Sequence, residues 1–313
     1  MTTNSYKEIG GYFGLEISKI WNSNINAAIA LNTGKNALRY IIKAFSIEEI
    51  WMPYYTCPIV WNAAKNENCK INFYHIDRNF LPTTIFNDNS YVLYTNYFGI
   101  CAKNIKELAK KYKNLIVDNA QAFYMPKYGI ASFNSLRKFF GVPDGSFLIC
   151  DKTMNENFKE DESYKRCSHL LKRIDINAEF GYQDFKNNDI ALAQEDIKTM
   201  SKLTCALINS IDTIKAKETR LSNFNILSSR LKTTNNLNIT LDIDDVPMCY
   251  PYMTDNINLR QKLIQNKVYI PTYWDEQPKE FYEYKLRNNI LPLPIDQRYD
   301  KEAMNRILEI INV

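Results

Sequence analysis

The feature that most constrains this chain is the apolar run Leu115-Ile-Val117. It ends on a carboxylate, Asp118, and Lys138 follows twenty residues later. Consecutive apolar residues without polar alternation read as a parallel strand covered on both faces. A carboxylate at the carboxyl end of such a strand sits where open α/β sheets bind their ligands. Once buried there it needs a positive or hydrogen-bonding partner. The protonated nitrogen of a pyridine ring is one such partner, and a lysine on a nearby turn can condense with an aldehyde on the same ring. Together these demands describe a site for pyridoxal phosphate. The competing uses are a helix N-cap or a metal or ribose ligand at Asp118, and an ordinary solvated lysine at Lys138.

Around this run, helix-like and strand-like segments alternate. Helical spacing of apolar residues covers 36–45, 57–65 and 104–113, and strand-like runs cover 47–52, 71–76, 91–95, 115–117 and 147–150. Such alternation predicts an α/β fold, a mostly parallel central sheet with helices on both faces. After Lys152 the character changes. Long helices are expected over 195–214 and 217–231, short strands over 247–250 and 268–270, and helices over 258–265 and 303–311. No Gly/Ser linker, repeat or low-complexity segment separates the halves, so the two parts should pack closely. The boundary falls near 215–235, giving a large domain over 1–220 and a smaller C-terminal α+β domain over 221–313.

Four groups converge at predicted strand ends. Asn32-Thr-Gly-Lys-Asn36 is a turn entering a helix, and the amides of Gly34, Lys35 and Asn36 could bind a phosphate, with Lys35 adding charge. A plain N-cap at Thr33 is the alternative. Tyr54 and Tyr55 follow the next strand, where a ring could stack on a planar ligand or pack at an interface. Asp118 would keep a ring nitrogen protonated, and Gln121 could hydrogen-bond a phenolic oxygen. Lys138 would supply the amine, and Ser135 a hydroxyl for phosphate. Further on, Arg166, His169, Lys172 and Arg173 form a basic stretch that could hold a diphosphate or a donor carboxylate, or be a solvated helix face. Gly10-Gly-Tyr-Phe-Gly14, with Tyr12 as a substrate-contact candidate, could be a lid over the site or a turn.

Composition narrows the class without naming a function. The formal net charge is +4, and the Lys-rich stretch from Lys106 to Lys113 interleaves with Glu107 and apolar residues, so nothing demands nucleic acid. Aromatic residues make up 13% of the chain, which suggests stacking surfaces or a large interface. The seven cysteines lack CxxC spacing and are expected as free thiols in the cytoplasm. No zinc site is expected from two distant histidines. The first residues lack the basic and apolar regions of a secretory signal, and no apolar run is long enough to span a bilayer. No GxGxxG follows an early strand, which argues against a dinucleotide-binding dehydrogenase.

The ordered motifs Asn32-Thr-Gly-Lys-Asn-Ala-Leu38, Pro53-Tyr-Tyr-Thr56, Asn96-Tyr-Phe-Gly99, Asp118-Asn-Ala-Gln121 and Ser135-Leu-Arg-Lys138 resemble the DegT/DnrJ/EryC1/StrS family. These are sugar aminotransferases of the fold-type-I, aspartate-aminotransferase-like superfamily. The resemblance is carried by motif over 28–150 and by order of elements beyond. It implies a three-layer PLP-transferase fold and pyridoxal phosphate attached to Lys138, with Asp118 on the ring nitrogen and Gln121 on the ring oxygen. It also implies a homodimer with its sites at the subunit interface. The reaction implied moves an amino group from an amino acid, with glutamate expected, to a keto-sugar that is commonly nucleotide-linked, in surface-glycan biosynthesis.

This chain departs from the pattern in several places. Lys35 stands where the first phosphate turn usually has Thr or Ser. Cys57 falls near the position of the usual stacking aromatic, for which Tyr55 could compensate. Ser135 stands three positions before the lysine, and Phe139-Phe-Gly-Val-Pro-Asp-Gly145 replaces the usual Gly-Glu-Gly-Gly. The chain is also short for the family. Two other readings remain open: a pyridoxal-phosphate enzyme of different reaction type, and a non-catalytic relative that keeps the fold as a binding or assembly partner. Lys138 argues against the dehydrating relatives, in which histidine replaces that lysine.

Overall fold

The computed structural model of the chain describes residues 15–19, 28–274 and 277–312. The first strand, β1 (Ile29–Leu31), leads directly into helix α1 (Gly34–Phe45). Thr33 caps this helix, its Oγ1 accepting from the Asn36 amide at 3.1 Å, and Ser46, in the left-handed region at φ 52°, ends it. Ala37, Leu38, Ile41 and Ile42 recur at helical spacing and are buried, so α1 lies with one apolar face down on the sheet. The chain continues through β2 (Glu49–Pro53), α2 (Pro58–Asn66), β3 (Lys70–Tyr74), β4 (Tyr91–Thr95), α3 (Ala102–Lys111), β5 (Asn114–Asn119) and β6 (Ala131–Asn134). A short 3-10 turn at Leu136–Lys138 precedes β7 (Ser146–Cys150).

These strands form one seven-stranded sheet in the order β1-β7-β6-β5-β4-β2-β3. Strands β3, β2, β4, β5 and β6 run parallel, while β7 lies antiparallel between β6 and β1. Side chains alternate across the sheet, which divides its core in two. Ile50, Leu93, Ile116 and Phe133 face α1 and α2; Val92, Tyr94, Leu115 and Val117 pack on the other side with Ile105 of α3. Both faces are covered, as the unbroken apolar run at the heart of β5 requires.

The second half supplies α4 (Ser168–Asp175), α5 (Tyr182–Gln194), α6 (Lys202–Asn209) and α7 (Thr213–Leu231). It then adds β8 (Cys249–Met253), α8 (Leu259–Gln265), α9 (Tyr282–Asn289), β9 (Ile290–Pro294) and α10 (Lys301–Ile311). Strands β8 and β9 pair antiparallel, and Leu227 of α7, Leu263 of α8 and Met304 of α10 close a separate core with Tyr250 and Leu293. The expected mostly parallel sheet with helices on both faces is what the chain adopts, and the short strands of the second half form a small antiparallel sheet. All seven cysteines are free, and among the described residues no helix is long and apolar enough to cross a membrane.

Two expectations fail. The segment 195–214 is not one long helix. Its first residues are extended because their carbonyls serve the turn before α1: Lys198 O accepts from the Asn32 amide at 3.0 Å, and Asp196 O from Asn36 Nδ2 at 2.7 Å. Helix formation resumes only where Ser201 caps α6 through the Thr204 amide. The segment 268–270 is not a strand; Val268 and Ile270 are buried, but the Val268 amide turns back to Leu263 O at the end of α8.

Candidate active site

Strand β5 delivers Asp118 to the carboxyl edge of the parallel strands, in register with Thr95 of β4 and Phe133 of β6. Alternation puts Asp118 on the face covered by α1, the face that Ile116 and Phe133 share. The start of α1 comes close on that side: a Cβ built on Gly34 would stand 3.2 Å from Asn134 O and 3.5 Å from the Phe133 ring. The strand end and the helix N-terminus therefore border one region. Asp118 is 3% exposed, and Oδ1 accepts from the Ala120 amide at 2.8 Å. Burial pushes its carboxyl above the usual carboxylate range, against the pull of the Lys138 charge and the Ala120 amide.

Lys138 ends the 3-10 turn that follows β6 and is exposed. Its ammonium makes no hydrogen bond or ion pair among the described residues, and Asp118 is the carboxylate on which its charge acts. Ser135 begins the same turn; its carbonyl accepts from the Lys138 amide at 3.3 Å, and its hydroxyl has no partner among the described residues.

Gln121 lies just past β5 and is 1% exposed. Its Oε1 accepts from the Phe98 amide at 2.7 Å, while Nε2 is buried without a partner. An orphaned buried donor costs about 1–3 kcal/mol, so it marks a place where a ligand acceptor fits. The adjacent turn is tightly built. Phe98 and Gly99 both have positive φ (56° and 72°), and a Cβ on Gly99 would meet Gln121 O at 2.6 Å and Val246 O at 2.9 Å.

At the start of α1 the backbone and the side chains have different duties. The amides of Gly34 and Lys35 have no acceptor among the described residues, as at any helix N-terminus not fully capped. The Lys35 ammonium does not turn toward them. It donates to Ala193 O at 2.7 Å and Glu195 O at 3.0 Å, bracing the carbonyl end of α5, and burial pulls its pKa down. Asn36 is likewise committed, through Nδ2 to Asn32 Oδ1, Glu195 O and Asp196 O. Only backbone amides at this turn are left for an anion.

Other candidates do not join the cluster. Tyr55 is buried in the opposite core, stacked on Tyr97 at 5.6 Å and met edge-on by Trp274 at 4.5 Å, so its ring is not offered at the Asp118 face. The basic stretch disperses. Arg166 pairs with Asp161 at 2.7 Å, Lys172 pairs with Asp184 at 2.7 Å, and Arg173 is exposed. His169 is buried against Phe185, with Nδ1 unpartnered and its pKa lowered by burial and then by Arg137. Tyr12 and the 10–14 run lie outside the described residues. A shallow cavity of about 200 Å³ lined by Asn119, Phe123, Ser132 and Phe147 opens on the sheet face opposite Asp118.

Sequence reading passed over Thr95, whose hydroxyl pairs with that of Thr56 at 3.2 Å beside the β4 end. The signal available was its position as the last residue of a strand flanking β5. Arg220, inside α7, carries no motif and was equally invisible; it is fully buried.

A rim of this kind, with a carboxylate at a strand end, a lysine turn and a helix N-terminus on one side of a parallel sheet, defines the chain as an α/β protein of the PLP-transferase fold. More narrowly, it has the fold of the DegT/DnrJ/EryC1/StrS sugar aminotransferases. A DegT DnrJ EryC1 StrS aminotransferase from Brucella abortus superposes with a TM-score of 0.60 at 14% identity, over 91% of this chain and 85% of that one. S. venezuelae DesV, in complex with a ketimine intermediate, gives 0.63 at 16% identity over 91% and 83%. Bacillus subtilis NtdA, with bound cofactor PMP, gives 0.63 at 15% over 91% and 73%. No protein-family sequence model matches the chain, and neither does any curated protein sequence.

Proposed function

We propose that this chain is a pyridoxal-phosphate-dependent aminotransferase that moves an amino group from an amino acid, with glutamate as the expected donor, to a keto-sugar. The observation that carries this reading is the meeting of groups still lacking partners at one sheet edge: the Gln121 Nε2 donor, the Gly34 and Lys35 amides, and the Lys138 ammonium acting on buried Asp118. They match the cofactor's parts. Asp118 would hold the ring nitrogen, Gln121 Nε2 the phenolic oxygen, and the α1 amides with the Ser135 hydroxyl the phosphate. When bound, pyridoxal phosphate supplies an electron sink that lets a C–H bond beside the substrate nitrogen break.

The chain's own residues do the rest. Buried Asp118 favours a positive partner, because its ionised form is otherwise penalised by burial. It would therefore favour a protonated ring nitrogen beside it. Lys138 would anchor the cofactor through Nζ, and the same amine, when free, would serve as the base that takes up and returns the substrate proton. The solved relatives support a sugar acceptor by name: one is described with a TDP-sugar product. We extend this to a nucleotide-linked keto-sugar in surface-glycan biosynthesis, made by a cytoplasmic homodimer. A division into parts 1–220 and 221–313 belongs to the same reading. Its support is α7, whose Ala216 packs in the large sheet's core and whose Phe224 and Leu227 pack with β8 and β9.

The test is an absorption spectrum of the purified chain with added pyridoxal phosphate, followed by borohydride reduction and peptide mapping. A visible band, an adduct on Lys138 and bleaching by glutamate are expected. A second reading, a binding partner that keeps the fold, draws on Lys35 and Tyr55 being committed elsewhere. It would be favoured by the lack of any band or adduct.

A further inference from the structure

Arg220 makes no salt bridge among the described residues, although it is 1% exposed and the charge of Asp296 favours its ionised form. A fully buried guanidinium without an ion pair is expensive unless its donors are used. Two of them are. Nη1 donates to Met248 O at 3.0 Å and Nη2 to Phe139 O at 3.3 Å, with the guanidinium carbon 4.5 Å from the centre of the Phe139 ring. Met248 in turn donates its amide to Phe98 O at 2.8 Å, and the Phe98 amide donates to Gln121 Oε1 at 2.7 Å. The path is continuous: Gln121, Phe98, Met248, Arg220, Phe139, and then Lys138 by a peptide bond. A second donor, Gln297 Nε2, reaches the same Phe139 carbonyl at 2.8 Å.

This path joins two groups that β5 and the β6–β7 connection deliver separately. The Lys138 side chain has no described hydrogen-bonding partner of its own, so its location depends on where its backbone is held. On the Phe139 side that hold is Arg220 and Gln297. A planar fork presents its donors in a fixed geometry, so it holds these two carbonyls at a set separation in a way the compact, freely rotating ammonium of a lysine does not.

We infer that Arg220 is a positioning residue that fixes the spacing between the Lys138 amine and the Asp118–Gln121 end of β5. Its importance for catalysis rests on the aminotransferase reading, but the spacing itself can be tested without cofactor. The full chain is acetylated with a limiting amount of acetic anhydride, and labelling of Lys138 relative to the other lysines is read by peptide mass mapping. Asp118→Asn should raise it about two- to threefold, because the Lys138 side chain is then no longer drawn by charge to the buried strand end and away from the reagent. In an Arg220→Lys background, checked for a native circular dichroism spectrum and cooperative melting, the same Asp118→Asn change should have almost no effect.

An undiminished effect in folded Arg220→Lys would overturn the inference, since a purely structural arginine alters stability and leaves that coupling in place. So would a wild-type chain in which Asp118→Asn changes nothing. If Arg220→Lys fails to fold, Gln297→Leu replaces it, with the coupling expected to fall by about half; full retention overturns the inference. Borohydride trapping of pyridoxal phosphate, run in parallel, separates the two ideas. A wild-type chain with the coupling but no Lys138 adduct sinks the enzyme reading and keeps the spacing. An adduct whose yield on Lys138 is the same in Arg220→Lys sinks the positioning role and keeps the enzyme.

Discussion

The edge of the sheet around Asp118 and the helical pair α4–α5 are built on opposite terms. At the sheet edge Asp118, Asn119, Gln121 and Phe139 are buried, the Phe139 carbonyl accepts from two side chains, and Gly99 is closely approached by backbone. In the helical pair little is buried: His169 in α4, Asn188 and Leu192 in α5. Ile174 and Ile190 stand 81% and 64% exposed. Ion pairs from Lys172 to Asp184 and from Arg137 to Asp189 do much of the tethering, together with Asn188 Nδ2 donating to Pro143 O at 2.8 Å. Surface pairs of this kind contribute little each. The comparison teaches that rigidity in this molecule is concentrated where chemistry is proposed, while apolar surface is left out on a lightly held element.

Five substitutions would break or sharpen that contrast. The largest effect belongs to Lys138→Ala, which should lower transamination by about 10³-fold or more while leaving thermal melting nearly unchanged, because the side chain is exposed and bonded to no described residue. A large drop in melting temperature would mean that Lys138 is structural. Next is Gly99→Ala. Its new Cβ meets backbone atoms under 3.0 Å away, at φ 72°, and should cost about 2–4 kcal/mol in urea unfolding. A loss under about 1 kcal/mol would show the edge to be softer than its geometry.

Third is a pH effect at Asp245, whose carboxylate accepts from the Ala102 and Asp242 amides and whose pKa burial raises to about 6. A carboxyl raised above its unfolded value favours the fold while protonated. Its contribution is complete below about pH 4 and is lost as pH rises through about 6. The stability of Asp245→Asn relative to wild type should therefore improve by about 1–2 kcal/mol between pH 4 and pH 7, read by chemical denaturation at each pH. A flat difference would contradict the burial argument. The smallest effect is expected from Ile174→Ser and Ile190→Ser, each within about 0.5 kcal/mol of wild type. A loss of more than about 1 kcal/mol in either would mean that the exposed surface of the pair is covered in solution.

What the sequence disclosed follows the same division. Runs such as Tyr91–Thr95 and Leu115–Val117 are apolar enough to read as covered strands, and α1 and α10 display a helical period, so the layered fold was legible. Strand β1 is only three residues, too short for any period to appear, and β6 presents Ala-Ser-Phe-Asn, with little β-branched character. The segment 195–201 has helix-forming residues but is held extended by Asn32 and Asn36, partners more than 150 positions away. At the site, Asp118 could be picked out because it ends an apolar run, and Gln121 and Lys138 because they follow it in the order of the motifs. The ion pairs of Arg166 and Lys172 were not legible, because side-chain spacing says nothing about the acids, Asp161 and Asp184, that engage them. The packing of Tyr55 was hidden for a similar reason: its neighbours Tyr97 and Trp274 come from distant parts of the chain.

The bracing of Lys35 against Ala193 and Glu195 has a consequence for how this protein can be divided. Every recognisable motif ends by residue 145, yet the turn that offers amides to an anion is held from behind by a stretch beginning near residue 193. A ribosome that has released only the first 150 residues has made all the signature groups without the strut that sets their angle. The candidate site should therefore mature late in synthesis. An N-terminal fragment carrying the full set of motifs should bind phosphate poorly until a complementing fragment containing residues 193–198 is supplied.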